Sequence, residues 1–385
     1  MTQPKDRSQV ILFVVNDAWF FKSHRLPIAE ALIKKGCEVH LAAHTDQSTE
    51  EIEAAGVQIH HWKLSPRSTN PLKEARAFLD LARIIFRINP GLLHLVTIKS
   101  VLYGGILSRL MRVKSVIFAI SGLGYIFRSR DQNISLLQRI SLYLYKFALN
   151  HNNSAVIVQN QADGQFFTND LNINSSRVWQ LPGSGVDTNL FKPGIRSQST
   201  VRAVLAARML WDKGIRVFAD AARILKLNGT QVECVLVGGC DKDNPRGVPE
   251  EQLRSWESEG ILTWAGHSKD MVNVLQQADI FCLPTMYGEG LPKVVIEAAA
   301  CSCAIVVSDW PGCRDIIENE KNGLLLTPGD PEALSKAITQ LAESPTLRDQ
   351  LGSQAHETVA NGYTIQIVID MTLSIYRQLQ NLPKN

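Results

Sequence analysis

Two carboxylates and two cations stand out by residue type and spacing. Glu289 and Glu297 lie eight residues apart in PTMYGEGLPKVVIEAAA (284–300), and Arg208 and Lys213 lie five apart in AARMLWDKGI (206–215). The acidic pair follows an apolar run, Asp279–Leu283, across a Gly-rich turn, and Pro292 suits the first turn of a helix. Free N–H groups at such a helix start, with the positive end of its dipole, favour a diphosphate in front of them. Glu297, about a turn and a half into that helix, is placed to accept both hydroxyls of a ribose, and Glu289, in the turn, to reach a sugar hydroxyl. An ordinary helix-start acid and a solvated loop acid fit the same spacing. Arg208 and Lys213 follow another apolar run, Arg202–Ala207. A guanidinium fork beside an ammonium suits two adjacent phosphates and can offset charge growing on a departing nucleoside diphosphate. Taken alone, a surface pair fits Arg208 and Lys213 equally well.

The first half offers weaker candidates. His24 and Arg25 follow Ser23, which reads as the N-cap of the first helix and would put both side chains on a cleft-facing rim. Gly122 and Gly124 flank a turn after Ser115–Ile120, where backbone can approach a sugar closely. Asp241-Lys242-Asp243 resembles a metal-holding D-x-D, but it opens a Pro/Gly-rich loop, and no metal is expected there. Cys301-Ser302-Cys303 lacks a second Cys/His pair at zinc spacing, so these thiols are expected in the core.

The elements that position these residues repeat a simple pattern. Short apolar runs at Val10–Val15, Glu38–Ala43, Val57–Trp62, Leu92–Val96, Ser115–Ile120 and Ala155–Val158 read as strands, with helical periodicity between them, as at Leu72–Ile88 and Ile134–Leu149. The pattern restarts at Arg202–Ala207, Gln231–Val237, Ile261–Trp264, Asp279–Leu283, Ala304–Val307 and Gly323–Leu326. Continuous apolar strands separated by helices mean parallel sheets covered on both faces. The fold class is therefore α/β, with two doubly wound Rossmann-like domains facing across a cleft, at 1–182 and 187–363. The join is placed at Leu181–Pro193, and a final helix at about 364–380. A dehydrogenase built on two such units would need G-x-G-x-x-G directly after a strand, which neither N-terminal strand supplies.

The combination of Arg208, Lys213, Glu289-x7-Glu297 and Val307-Ser308-Asp309-Trp310-Pro311-Gly312-Cys313 closely resembles glycosyltransferase family four, the retaining nucleotide-sugar enzymes with the GT-B fold. Asn16…Ser23-His24-Arg25-Leu26-Pro27, His94…Thr97-Ile98-Lys99, Ser121-Gly122-Leu123-Gly124-Tyr125 and Gly183-Ser184-Gly185-Val186-Asp187 look like the bacterial branch that builds polyprenyl-diphosphate-linked glycans. That branch includes N-acetylgalactosaminyltransferases acting on undecaprenyl-diphosphate sugars. The resemblance implies that Arg208 and Lys213 bind the donor diphosphate, Glu297 the ribose and Glu289 the transferred sugar, with Gly290 and Leu291 contributing backbone N–H groups. Glu289, Arg208 and Lys213 would carry catalysis, while His24, Arg25, Arg67, Lys99, Ser121, Gly122 and Gly124 would line the acceptor side or cleft. It further implies no bound metal or cofactor, a UDP-linked hexose or N-acetylhexosamine as donor, and a last helix packed back on the first domain. Asn16-Asp17-Ala18-Trp19 stands where many members have a Gly-Gly loop, a His of some members is replaced near Ser121, and Cys303-Ala304 replaces a common Gly-x-Pro. The alternatives are a twin-Rossmann nucleotide-sugar enzyme with a soluble acceptor, or a non-catalytic nucleotide-sugar-binding subunit.

Composition bounds the setting. At 385 residues, 45% apolar and 20% charged, the chain is ordinary globular protein of about two domains. Its net charge of +3 is too mild to imply nucleic acid, but it is uneven: residues 1–185 hold 21 Lys/Arg against 13 Asp/Glu, leaving 19 against 24. Lys99–Asn150 carries eight Lys/Arg and one acid, Asp131, among aromatic residues, which suits an anionic membrane surface. Val10–Val15 is too short for a signal-peptide core, and no run reaches the roughly 20 residues of a membrane helix. The expectation is a cytoplasmic protein, peripheral on the inner face of the membrane, with seven reduced cysteines.

Overall fold

The computed structural model describes residues 9–65, 70–122, 136–196, 200–241, 244–288 and 290–380. The chain forms two units: Met1–Ser184 with Gln366–Asn385, and Gly185–Ile365. Arg67, Gly124 and Glu289 fall outside the described residues, as do Lys242-Asp243 and the middle of the basic stretch.

Unit 1 is built on a seven-stranded parallel sheet: β1 (Val10–Asp17), β2 (Glu38–His44), β3 (Gln58–His61), β4 (Leu92–Val96), β5 (Ser115–Ala119), β6 (Ser154–Val158) and β7 (Val178–Gln180), ordered β3-β2-β1-β4-β5-β6-β7. β4, β5 and β6 are buried along their whole length, as strands covered by helices on both faces must be. β7, three residues long, is an edge strand that the sequence pattern does not announce. The helix Pro71–Ile88 shows how sequence sets the layer. Asn70 caps it, accepting from Leu72 N at 3.0 Å, Pro71 fixes its first turn, and Ala77, Leu81 and Ile85 recur every four residues to form its buried face.

The last helix, Ile365–Gln380, belongs to unit 1. Its Val368, Leu373, Ile375 and Tyr376 join the cluster of Ile11, Phe13 and Leu92, each contributing on the order of 1.5–3 kcal/mol by burial. Its polar ties are as specific: the Tyr376 hydroxyl shares a 2.6 Å hydrogen bond with His94 Nδ1, and Ser115 and Asn153 both donate to Leu379 O. Burial, and then the Arg25 charge, hold His94 well below the usual histidine range, and His60 and His151 are lowered in the same direction, mainly by burial. These rings take up a proton less readily in the folded protein than in the unfolded chain, where the ordinary value is 6.5. Their contribution to stability is therefore complete above that value and is lost as pH falls from it toward the lowered folded-state values. The urea midpoint is expected to drop between about pH 7.5 and 5.5, with a shallower drop in His94→Asn. A flat profile would contradict the assignment.

Unit 2 has a six-stranded parallel sheet: β8 (Val201–Ala206), β9 (Val232–Val237), β10 (Thr263–Trp264), β11 (Ile280–Leu283), β12 (Ala304–Ser308) and β13 (Leu324–Leu326), ordered β10-β9-β8-β11-β12-β13. β10 keeps only two residues of the run Ile261–Trp264. All seven cysteines are free thiols, and Cys301 and Cys303 are fully buried, their thiols pushed up to about 12 by desolvation. Among the described residues no helix is long and apolar enough to cross a membrane, and no group of three or more His, Cys, Asp or Glu is arranged to hold a metal ion.

Candidate active site

In open parallel sheets a ligand site forms at the carboxyl ends of the strands where the strand order reverses direction. In unit 2 that point lies between β8 and β11, and the loops leaving these two strands carry Arg208, Lys213, Gly290 and Leu291. Arg208 extends into solvent, 65% exposed, with Asp241 Oδ2 3.8 Å from Nη1. Asp241, the first acid of the D-x-D, thus faces a cation. A 3-10 turn, Trp211–Lys213, brings Lys213 round, and Gly214 at φ 74 starts the helix Ile215–Leu227. A Cβ on Gly214 would lie 1.9 Å from Pro284 O, so only glycine lets the β8 and β11 loops approach this closely.

Asp212 joins three loops. Its carbonyl accepts from Thr285 Oγ1 at 3.0 Å and Met286 N at 2.8 Å, and its carboxylate accepts from Arg246 Nη1 at 2.6 Å. Arg246 also lends its carbonyl to Trp211 N. A fourth loop, after β12, is tied in through Trp310 Nε1, which donates to Thr285 O at 3.1 Å. Sequence reasoning missed Thr285, Asp212 and Arg246. The one signal was a small polar residue, Thr285, one position beyond the Pro284 that ends the apolar strand Ile280–Leu283.

The helix Lys293–Ala300 begins at Pro292, whose side chain makes no cap bond, and has no acid in its first turn, so the positive end of its dipole is turned toward the loop. Leu291 is buried in front of it. Glu297 lies at the fifth helical position with its side chain only 12% exposed, and Lys293 Nζ approaches its Oε1 at 3.4 Å. Desolvation raises this carboxyl despite Lys293. A carboxylate so placed can accept hydroxyl donors in a largely water-free setting.

Unit 1 has its own reversal between β1 and β4. There Thr97 adopts φ 78, ψ 159, rare for a β-branched residue, and its Oγ1 donates to Asn16 Oδ1 at 2.7 Å. Ser121 and Gly122 (φ 134) follow the adjacent β5, and the Ser121 hydroxyl is buried without a partner among the described residues.

Two expectations for this unit are corrected. The first helix starts at Ala18, not after Ser23, so His24 ends it and Arg25 is the joint to the next helix, Leu26–Lys34. Arg25 is therefore not on a rim. It is 4% exposed, donates from Nη1 to His24 O, and is lowered to about 10 by burial. His24 stacks on Phe20 with ring centroids 4.1 Å apart. Lys99, at the second position of the helix Ile98–Leu110, is held by Glu74 Oε1 at 2.9 Å and Ser65 O at 3.1 Å, bracing two segments of its own unit.

Residues 187–358 match the family described as glycosyl transferases group 1, and residues 10–160 match glycosyl transferase 4-like. Over 93% of the chain, the sequence is 28% identical to N,N'-diacetylbacillosaminyl-diphospho-undecaprenol alpha-1,3-N-acetylgalactosaminyltransferase of Campylobacter jejuni, covering 96% of that protein. The chain is a glycosyltransferase. This glycosyltransferase is also similar to an Escherichia coli UDP-Gal:alpha-D-GlcNAc-diphosphoundecaprenol alpha-1,3-galactosyltransferase, at 21% identity over 80% of the chain and 81% of the relative. Its fold is GT-B. Anabaena HepE, solved with UDP and glucose, superposes with a TM-score of 0.78 over 97% of the chain and 99% of its own, at 18% identity. The family match places Arg208, Lys213 and Glu297 within the group 1 segment, and Thr97 and Ser121 within the 4-like segment.

Proposed function

We propose that this glycosyltransferase moves a hexose or N-acetylhexosamine from a UDP-sugar to a saccharide carried on a polyprenyl diphosphate, with retention of anomeric configuration and without a metal ion. The relatives named above act on undecaprenyl-diphosphate-linked sugars, and HepE was solved with UDP. One observation carries the donor side: an exposed guanidinium, a lysine-bearing turn and the start of a helix with no acid in its first turn come together at the β8/β11 reversal of unit 2. Charge developing on the departing UDP is offset by Arg208, Lys213 and the positive end of the helix Lys293–Ala300, the role a divalent ion performs in other transferases. Glu297 receives the ribose hydroxyls, Gly290 and Leu291 present backbone N–H groups, and Glu289 steadies the transferred sugar. The acceptor belongs to unit 1, around Thr97, Ser121 and Gly122, at the inner face of a membrane.

The test is UDP release from a panel of UDP-sugars in the presence of an undecaprenyl-diphosphate-linked saccharide. One UDP-N-acetylhexosamine or UDP-hexose should raise the protein's melting temperature and support transfer, with the rate unchanged in excess EDTA. Stabilisation by GDP-sugars alone would overturn the donor, loss of activity in EDTA the metal-free reaction, and equal transfer to a free sugar the lipid-linked acceptor.

A further inference from the structure

The helix Pro71–Ile88 carries a second apolar stripe, pointing away from the core. Leu72, Leu79 and Phe86 recur every seven residues and are 82%, 56% and 78% exposed. Lys73, Arg76, Arg83 and Arg87 are exposed as well, and at 100° per residue Arg83, Arg76 and Arg87 follow one another along one flank of the stripe. The only acids on the helix are engaged within the unit: Glu74 accepts from Lys99 and Tyr103, and Asp80 accepts from Lys63 N at 2.9 Å.

This surface continues across the same side of the sheet. The helices Pro71–Ile88, Ile98–Leu110 and Leu136–Leu149 pack on one cluster through Leu81, Val101, Leu107, Tyr145 and Leu149. Their outer side exposes Leu110 at 67% and Tyr143 at 72%, and Arg109 lies over the Phe147 ring at 4.1 Å.

We propose that this helical layer, led by the stripe Leu72–Leu79–Phe86, is the surface by which unit 1 lies on an anionic lipid leaflet. A helix that shows Leu and Phe beside a ridge of Lys and Arg matches the membrane interface, where the apolar side chains enter the acyl boundary and the cations meet headgroup phosphates. Each cation near an anionic leaflet strengthens binding by about fivefold. Charge decides against a second copy of the chain as the occupant, since two such faces brought together would oppose Arg to Arg with no free acid between them. The inference deepens the reading of a lipid-linked acceptor and rests on it for its purpose. It moves the leading contact from the basic stretch 99–150 to a helix before it.

The experiment uses the full chain and vesicles of phosphatidylcholine with one-quarter phosphatidylglycerol, against phosphatidylcholine alone. Wild-type protein should co-sediment with the anionic vesicles and detach as salt rises. Leu79→Glu/Phe86→Glu and Arg83→Gln/Arg87→Gln should each bind at least about tenfold more weakly while keeping the wild-type melting temperature and the wild-type rate on a detergent-soluble short-chain acceptor. Equal binding to neutral vesicles, or undiminished binding by both variants, overturns the proposal. So does a dimeric wild type that Leu79→Glu/Phe86→Glu converts to monomer with vesicle binding intact. Absence of transfer with intact vesicle binding counts against the acceptor reading alone.

Discussion

Arg208→Ala is expected to lower kcat/KM for sugar transfer by roughly 30- to 1000-fold, about 2–4 kcal/mol of transition-state stabilisation. The side chain is mostly in solvent, and the carboxylate beside it stands 3.8 Å away. It supports no part of the fold, so the loss should appear in turnover with the urea midpoint unchanged. Arg208→Lys should recover only part of the rate, because a point charge replaces a planar fork suited to two phosphate oxygens. Initial rates of UDP release decide the matter: near-normal turnover in both Arg208→Ala and Lys213→Ala would remove these cations from the site.

Gly214→Ala acts through the backbone instead. The new methyl would meet Pro284 O at 1.9 Å while the residue is held at φ 74. Either the β8 loop retreats from the β11 loop or the turn changes its conformation, and both displace Lys213. The expected result is a loss of about 3 kcal/mol or more in folding stability together with a large fall in turnover. Gly229→Ala is the control, since it shares a positive φ of 71 but has nothing within 4 Å of the added methyl. That change should cost only the left-handed conformation, about 1–2 kcal/mol, and leave the rate alone. Similar urea midpoints for the two variants would show that the loops do not depend on this contact.

The parallel α/β character was legible in the sequence because β4, β5 and β6 are buried on both faces and so read as unbroken apolar runs. β7, three residues long at a sheet edge, leaves no period to read, and at the other sheet's edge β10 keeps only two of the four residues in the run Ile261–Trp264. Arg25 shows a different limit. Residue type argues for solvent, yet two helices meet at this residue and the last helix covers the same face of the sheet, which no local pattern reports. The Asp212 junction was hidden because two of its bonds run through a main-chain carbonyl, which every residue possesses. The helix Pro71–Ile88 has two apolar stripes, Ala77–Leu81–Ile85 and Leu72–Leu79–Phe86, and periodicity cannot say which one meets the core.

The return of the last helix to unit 1 has a consequence for how the protein is made. Unit 2, Gly185–Ile365, is an insertion between the body of unit 1 and the segment that finishes it. During synthesis the first unit emerges early but lacks Leu373, Ile375 and Tyr376, and His94 waits without its hydroxyl partner until the helix Ile365–Gln380 has been made. The later-made unit is the first whose sequence is complete, and domains generally fold as units. A nascent chain therefore leaves the apolar residues of β1 and β4 without this helix until all of unit 2 has been made. Mutations that weaken the final helix should act through yield and aggregation before they act on catalysis.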